Sequence, residues 1–252
     1  TISNLKKYFM KEFSRTKLLF GEENLGVFKK TRVAVIGLGG VGSYAVEVLA
    51  RSGIGKLRLV DFDKITKSNI NRQVIALHST IGRLKTEVMA ERIKDINPSI
   101  EVEIATDFCD ENNREKLLKN LDFVIDAIDS LGPKAGLMAD LYHRKIPFIS
   151  VLGAAGKIDP SLIELTDISK TKICPLARKV RKYLHRKDIY KNIPVIYSPE
   201  RPVPQFAPEK GAKEDSVLDR GNPRGTLSSV VYIPAIMGMW AASYVIRELV
   251  CE

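Results

Sequence analysis

Cysteine and histidine are both scarce in this sequence, three of each among 252 residues. Cys109, Cys174 and Cys251 lie far apart and form no C-x-x-C, which argues against a disulfide framework and against a structural zinc site. His78, His143 and His185 are isolated and show no metal-ligand spacing. A reducing, cytoplasmic setting fits that thiol usage. The opening stretch TISNLKKYFMKEFSRTK has lysines but no apolar core of signal-peptide length, which argues against secretion, and Thr1 in place of Met points to a trimmed start. Long apolar runs are also lacking, apart from Ser228 to Leu249, which approaches the roughly 20 residues a membrane span needs. Pro234 divides that run, so it reads as a buried helix with Met237 and Trp240 in the core or at a dimer interface. No stable membrane insertion is expected.

What is present points to one domain. At 44% hydrophobic residues, a chain of this length can bury about 70–75% of its unfolded surface. Its net charge of +10 favours polyanionic partners. The organising stretch is RVAVIGLGGVGSYAVEVLARSGIGKLRLVDFD, Arg32 to Asp63. Val33 to Ile36 is a short apolar run without polar interruption, the pattern of a strand buried on both faces of a parallel sheet. Gly37, Gly39 and Gly42 follow in G-x-G-x-x-G spacing, and Val41, Ala45, Val48 and Leu49 then recur at helical intervals. Gly37 and Gly39 let the backbone turn tightly and approach a phosphate, while Gly42 lets the helix pack closely. The helix N-terminus offers N–H groups and partial positive charge to that phosphate. Leu57 to Val60 reads as the second strand, and Asp61 stands where a carboxylate accepts from ribose hydroxyls. Strand, glycines, helix and acid together predict a nucleotide site.

Ahead of this unit, residues 3 to 14 and 22 to 30 can form short helices, with Leu5, Tyr8, Phe9 and Phe13 on one stripe. Arg15, just beyond the first, reads on pattern alone as an exposed surface arginine. After Asp61, the residues Asp63, Asn69, Asn71, Arg72 and Gln73 crowd polar groups into the loop where open α/β sheets bind ligands. Lys85 opens a helix that Val88, Met89, Ile93 and Ile96 continue to Asn97-Pro98. Arg72 and Lys85 form a cation pair that suits a triphosphate. Val102 to Ala105 reads as a third strand, Asn113 to Leu121 as a helix and Phe123 to Ile125 as a fourth strand. Asp126 reads as a cap or turn acid. Asp129 reads as a magnesium ligand, because hard oxygen donors beside bound phosphates hold that ion.

A helix from Lys134 to Arg144 and a strand from Phe148 to Leu152 complete a doubly wound pattern. The parallel sheet is expected to end there, in a shorter strand pair around Lys157-Ile158 and Leu162 to Thr166. Ile173, Leu176, Ala177, Val180 and Leu184 share a helical stripe, with Arg178, Lys179, Arg181, Lys182, Arg186 and Lys187 around it. That basic face is either solvated or in contact with nucleic-acid backbone. Cys174, at the start of this helix, has no paired base and reads more readily as inert than as a nucleophile. Ser198 to Arg224, rich in proline, charge and glycine, reads as a mobile loop.

GLGGVGS at Gly37 to Ser43, LVDFD ending at Asp63, SNINRQ at Ser68 to Gln73, GRLK ending at Lys85 and DAIDS at Asp126 to Ser130 resemble the adenylating core of the E1-like (ThiF/MoeB/HesA) superfamily. The likeness spans about Arg15 to Leu152. Within that superfamily, FSRTKLLFGEE, NINRQVIALHSTIGRLKTEVMAERI and DAIDSLGPKA resemble the tRNA threonylcarbamoyladenosine dehydratases. The resemblance implies a Rossmann-like, mostly parallel doubly wound α/β sheet with a C-terminal extension. The expected division is an N-terminal helical arm (1–31), a nucleotide-binding core (32–152) and a substrate and dimer region (153–252). It implies ATP at the glycine turn (Gly37, Gly39, Gly40, Gly42), Asp61 on the ribose with Asp63 beside it, Arg72 and Lys85 on the phosphates, and Asp129 on Mg2+. Asn69 and Gln73 act in support, and Arg15 is supplied across a homodimer interface, which displaces its bland surface reading. It further implies tRNA carrying threonylcarbamoyladenosine as substrate, a monovalent cation (K+ or Na+), and a cysteine desulfurase or sulfur-acceptor system as a partner.

Three alternatives stand beside this one. An activator of a ubiquitin-like or sulfur-carrier protein would adenylate a partner's Gly-Gly end and give Cys174 a role, but the zinc-binding C-x-x-C pairs usual in sulfur-carrier activators are absent. A nicotinamide dehydrogenase would share the glycines and Asp61 yet leave SNINRQ, Lys85 and Asp129 without purpose. A non-catalytic RNA-binding module that senses nucleotide would use the basic helix and bind tRNA with steep salt dependence.

Overall fold

The computed structural model describes residues 12–203 and 227–250. Its centre is β1 (Arg32–Ile36), whose residues from Val33 to Ile36 are all buried, as an uninterrupted apolar run requires. Parallel neighbours flank it: β2 (Lys56–Val60) on one side and β4 (Phe123–Asp126) on the other. β3 (Glu101–Ala105) lies beyond β2, and β5 (Phe148–Val151) beyond β4. The full order is β3-β2-β1-β4-β5-β7-β6, so the chain reverses its direction of travel across the sheet at β1 and β4. Open α/β sheets bind ligands at the carboxyl ends beside such a switch point. The register makes those ends level: Ile36 pairs with Val60 on one side and Asp126 on the other.

The sheet is longer than the sequence predicts. β7 (Pro194–Tyr197) lies parallel to β5, and β6 (Glu164–Asp167) pairs antiparallel with β7 at the edge. The parallel sheet therefore does not end at Leu152. Lys157-Ile158 forms no strand either: Gly156 takes a left-handed φ of 68°, and the Glu200 carboxylate accepts the N–H groups of Ile158 and Asp159, each at 3.1 Å, turning the chain out of the sheet.

Helices cover both faces. α1 (Ser14–Lys30) is broken at Gly21, where φ is 79° and ψ 170°, so its second half matches the helix expected over 22–30 while its first half fills a stretch between the two expected helices, where none was expected. The helix expected over 3–14 falls mostly outside the described residues. α2 (Gly42–Ser52) follows the glycine turn, and α3 (Lys85–Ile96) starts at Lys85 as the pattern predicts. α4 (Arg114–Leu117) is shorter than the helix expected to Leu121, because Asn120 adopts a left-handed φ of 57°. α5 (Leu131–Arg144) and α6 (Pro175–His185) cover one face.

On the other face, α7 (Tyr232–Glu248) crosses α2. Pro234 does not divide this helix, since it occupies the first turn, where the missing N–H has no partner to lose. A Cβ at Gly238 would stand 2.2 Å from the Val41 carbonyl oxygen, so only glycine permits this crossing. Met237 is in the core, but Trp240 is 43% exposed and is not. The loop expected over 198–224 lies largely in 204–226, outside the described residues.

Candidate functional site

The glycine turn closes the end of β1 against the ends of β2 and β4. Gly37 takes a φ of 93°, and its N–H donates to the Val60 carbonyl at 2.8 Å. A Cβ there would lie 2.8 Å from the Ala127 carbonyl oxygen, which shows how tightly the turn after β4 is pressed onto it. A Cβ at Gly42 would lie 1.8 Å from the Gly37 carbonyl oxygen, so this glycine brings α2 down onto the turn. Around Gly39 a Cβ would meet nothing within 4 Å. That is the opening a phosphate requires at the start of α2. Gly40 faces the Arg72 carbonyl and the Pro234 ring, joining the turn to the next loop and to α7.

At the end of β2, Asp61 is 8% exposed. Its Oδ2 accepts the Leu38 N–H at 2.6 Å and its Oδ1 the Asp63 N–H at 2.8 Å. Burial pushes its carboxyl above the usual value, against the pull of Lys85. The Lys85 ammonium, itself buried, donates to Asp63 at 2.7 Å and stands 3.9 Å from Asp61. A carboxylate with two N–H donors and a cation beside it keeps lone pairs for ribose hydroxyls.

Asn69, Arg72 and Gln73 lie between β2 and α3. Asn69 accepts the Thr66 N–H through Oδ1 and shapes the 3-10 turn that carries it. Arg72 is partly exposed and is braced by donation to the Ser68 carbonyl and Asn71. Gln73 is buried, and its Oε1 has no hydrogen-bond partner among the described residues. The loop is tied to the start of α2, where Ser43 Oγ accepts the Val74 N–H.

The end of β4 holds what sequence reasoning missed. Asp126 is no ordinary cap or turn acid: it is fully buried, and its Oδ2 accepts from Lys134 at 2.7 Å and from Ser150 at 2.6 Å. Lys134 is fully buried too, and burial pushes its ammonium down against the pull of Asp126. The other oxygen of Asp126 accepts the Ile128 N–H, fixing the turn that presents the exposed Asp129. The spacing of Asp126 and Lys134, a strand-end acid and a lysine one turn into the next helix, is the signal for the pair, but each residue alone looks like surface charge.

Glycines, Asp61, Asp63, Lys85, Asn69, Arg72, Gln73 and Asp129 thus surround the carboxyl ends of β1, β2 and β4. Arg15 does not join them. It is exposed on α1, and its neighbour Phe13 packs against Gly53, 3.5 Å from the position of an added Cβ. Gly53 is at the far end of α2, and an 11-residue helix separates the two ends by about 16 Å. Cys174 is also unlike a nucleophile: it is 2% exposed, and its Sγ accepts the Ala177 N–H as the cap of α6. Burial pushes the Cys109 thiol up to about 12. Among the described residues, no cluster of three His, Cys, Asp or Glu side chains could hold a metal.

The arrangement has room and donors suited to a nucleoside phosphate. The chain is 40% identical over 246 residues to the tRNA threonylcarbamoyladenosine dehydratase of Bacillus subtilis, covering 94% of each chain. The E. coli tRNA N6-threonylcarbamoyladenosine dehydratase, solved in complex with AMP, superposes with a TM-score of 0.85 at 34% identity, covering 97% of this chain and 96% of that one. The same enzyme in complex with ATP gives a TM-score of 0.84 at 35% identity, with the same coverage. The ThiF family model matches residues 13–250. The chain belongs to the ThiF family.

Proposed function

We propose that this chain is an ATP-dependent tRNA threonylcarbamoyladenosine dehydratase. The observation that carries the reading is its likeness to the Bacillus subtilis enzyme of that name, at 40% identity over 94% of both chains. The carboxylate of the threonylcarbamoyl group is a poor electrophile. One of its oxygens attacks the α-phosphorus of ATP, the bond to the β-phosphate oxygen breaks, and pyrophosphate leaves. An internal nitrogen or oxygen of the same side chain then attacks the acyl carbon, loses its proton and expels AMP, closing a ring with net loss of water.

This chain's part is to bind and to stabilise charge. Asp61 accepts from the ribose, with Asp63 and Lys85 holding its position. The turn at Gly37, Gly39, Gly40 and Gly42 receives phosphate at the start of α2. Arg72 and Lys85 offset phosphate charge, Asn69 and Gln73 shape the loop, and removing one such donor typically costs on the order of 10² to 10³ in rate. A single carboxylate beside phosphates fits Mg2+, which takes its other ligands from phosphate and water. Asp129 would hold that ion, which when bound supplies further neutralisation of phosphate charge.

Arg15 lies too far from its own chain's glycine turn to serve it. It would act in the site of a second copy, and the exposed Leu18 (88%) and Leu19 (76%) beside it supply an apolar surface for such a homodimer. In this reading, residues 1–31 form the exchanged arm, 32–152 the nucleotide core, and 153–252 the region facing tRNA and partner. The exposed basic residues of α6 suit a nucleic-acid backbone. Among the described residues no helix is long and apolar enough to cross a membrane, and a tRNA substrate is compatible with the cytoplasmic setting expected from the sequence. The carrier-activating alternative would give Cys174 a role, but Cys174 is buried and caps α6, and Cys109 is buried as well; Cys251 lies outside the described residues.

The test is to incubate the protein with ATP, magnesium and tRNA carrying threonylcarbamoyladenosine, then digest the tRNA and weigh the nucleoside. Loss of one water, with AMP released only on that tRNA, is expected. An unchanged nucleoside, with AMP released on a Gly-Gly-ended protein instead, would overturn the reading.

A further inference from the structure

Lys157 has no role in any of the machinery described so far. It follows β5 at the same carboxyl edge of the sheet as the nucleotide site, and it is 3% exposed. Its Nζ has no hydrogen-bond partner among the described residues. Burial pushes its ammonium below the ordinary lysine value, and Cys174 and Glu200 pull the other way. Neither is bonded to it. The Glu200 carboxylate is engaged by the N–H groups of Ile158 and Asp159, and the Cys174 sulfur by the N–H of Ala177. A buried ammonium without a partner is unfavourable for folding, so a fold that keeps one in place is poised for an anion that arrives later.

The surrounding contacts say where that anion would lie. The Gly156 N–H donates to the Ser228 carbonyl at 2.9 Å, and the adjacent Ser229 carbonyl accepts from Asn71 at 3.2 Å. Tyr232 Oη donates to the Ile158 carbonyl at 3.0 Å, and Pro234 packs at Gly40. The segment 228–234 therefore fastens the turn of Lys157 to Asn71-Arg72 and to the glycine turn. In the proposed reaction the phosphates of ATP already have Arg72, Lys85 and the start of α2. The substrate carboxylate, which must be brought up to the α-phosphate, has no cation assigned to it.

We propose that Lys157 is the residue that receives the carboxylate of the threonylcarbamoyl group and holds it beside the nucleotide. The inference rests on the dehydratase reading above. Lys157 is then what distinguishes modified tRNA from unmodified tRNA, because the carboxylate is the charge that the modification adds.

The test uses the full chain with ATP, magnesium and the two tRNAs. Lys157→Met keeps the side-chain stem and removes the charge. It is expected to raise KM for the modified tRNA at least tenfold and to abolish the preference for modified over unmodified tRNA in competition binding. ATP affinity and Tm should be unchanged or, for Tm, higher, since the unpartnered charge has gone. Lys157→Arg should recover part of the preference. A wild-type KM and preference in Lys157→Met would overturn the inference, as would parallel losses of Tm and ATP affinity, which mark a merely structural lysine. Should Lys157→Met fail to fold, Lys157→Gln read by the same competition decides. Absence of AMP release by the wild-type protein on modified tRNA would instead strike the dehydratase reading, and this inference with it.

Discussion

Two buried carboxylates decide how the site behaves at the scale of single residues. Asp126 and Lys134 neutralise each other in the core beneath the turn that carries Asp129, and Ser150 accommodates the same carboxylate oxygen. Lys134→Met leaves Asp126 charged and unpaired, which is expected to cost about 3–5 kcal/mol. Urea denaturation measures it, and a loss below about 1 kcal/mol would mean that the pair adds little net stability to the fold. Asp61 tells the complementary story. Burial raises its carboxyl, so in the folded chain it gains its proton at a higher pH than in the unfolded one. By linkage, this group's contribution to stability is fully present below the unfolded value and is lost as pH rises through the raised folded value. Ribose binding runs the opposite way, because hydroxyl donors need the charged carboxylate. Adenosine, which carries no titrating phosphate, should therefore bind more weakly as pH falls toward that raised value. Calorimetry that finds constant affinity down to the ordinary aspartate range, about 3.9, would remove Asp61 from the ribose.

Among the elements, α6 makes the clearest division between core and surface. Ala177, Val180 and Leu184 are buried, while Arg178, Lys179, Lys182 and Arg186 are exposed. Arg178→Glu with Lys182→Glu should weaken tRNA binding and lower the salt dependence by about 2 in slope, leaving ATP affinity unchanged. Filter binding across salt concentrations reads this directly, and an unaltered slope would make the face merely solvated. This helix was legible in the sequence because its signal is local, as were β1, the glycine turn and the start of α3 at Lys85. The elements that escaped depend on partners distant in the chain. β7 is four residues beginning at a proline, a poor strand by itself, and it exists because β5 and β6 lie on either side of it. The Asp126–Lys134 pair escaped for the same reason, since burial by Ser150 and the surrounding core turns two apparent surface charges into one neutral unit. Lys157 was passed over as part of a supposed strand. Its lack of a hydrogen-bond partner among the described residues is a property of three dimensions.

For the whole molecule, the question is whether one chain makes a complete site. Within a chain, Arg15 stands beside Phe13 at the C-terminal end of α2, whereas phosphate would bind at the N-terminal end, about 16 Å away. Leu18 and Leu19, at 88% and 76% exposure, are apolar residues that a second copy would cover. A homodimer in which each arm completes the other's site accounts for both facts with one interface. Leu18→Glu with Leu19→Glu should then yield a monomer by sedimentation that still binds ATP but releases no AMP. Subunit mixing separates this from simple damage. Arg15→Ala and Asp129→Ala should each be inactive alone, because one lacks the donated cation and the other the acid of the receiving site. Mixed, they form hybrid dimers in which one of the two sites has an intact core from the Arg15→Ala chain and an intact Arg15 from its neighbour. Activity should return to at most half the wild-type value per dimer, scaled by the hybrid fraction. Verified hybrids that remain inactive would place Arg15 outside the partner's site, and the arm would then contribute packing alone.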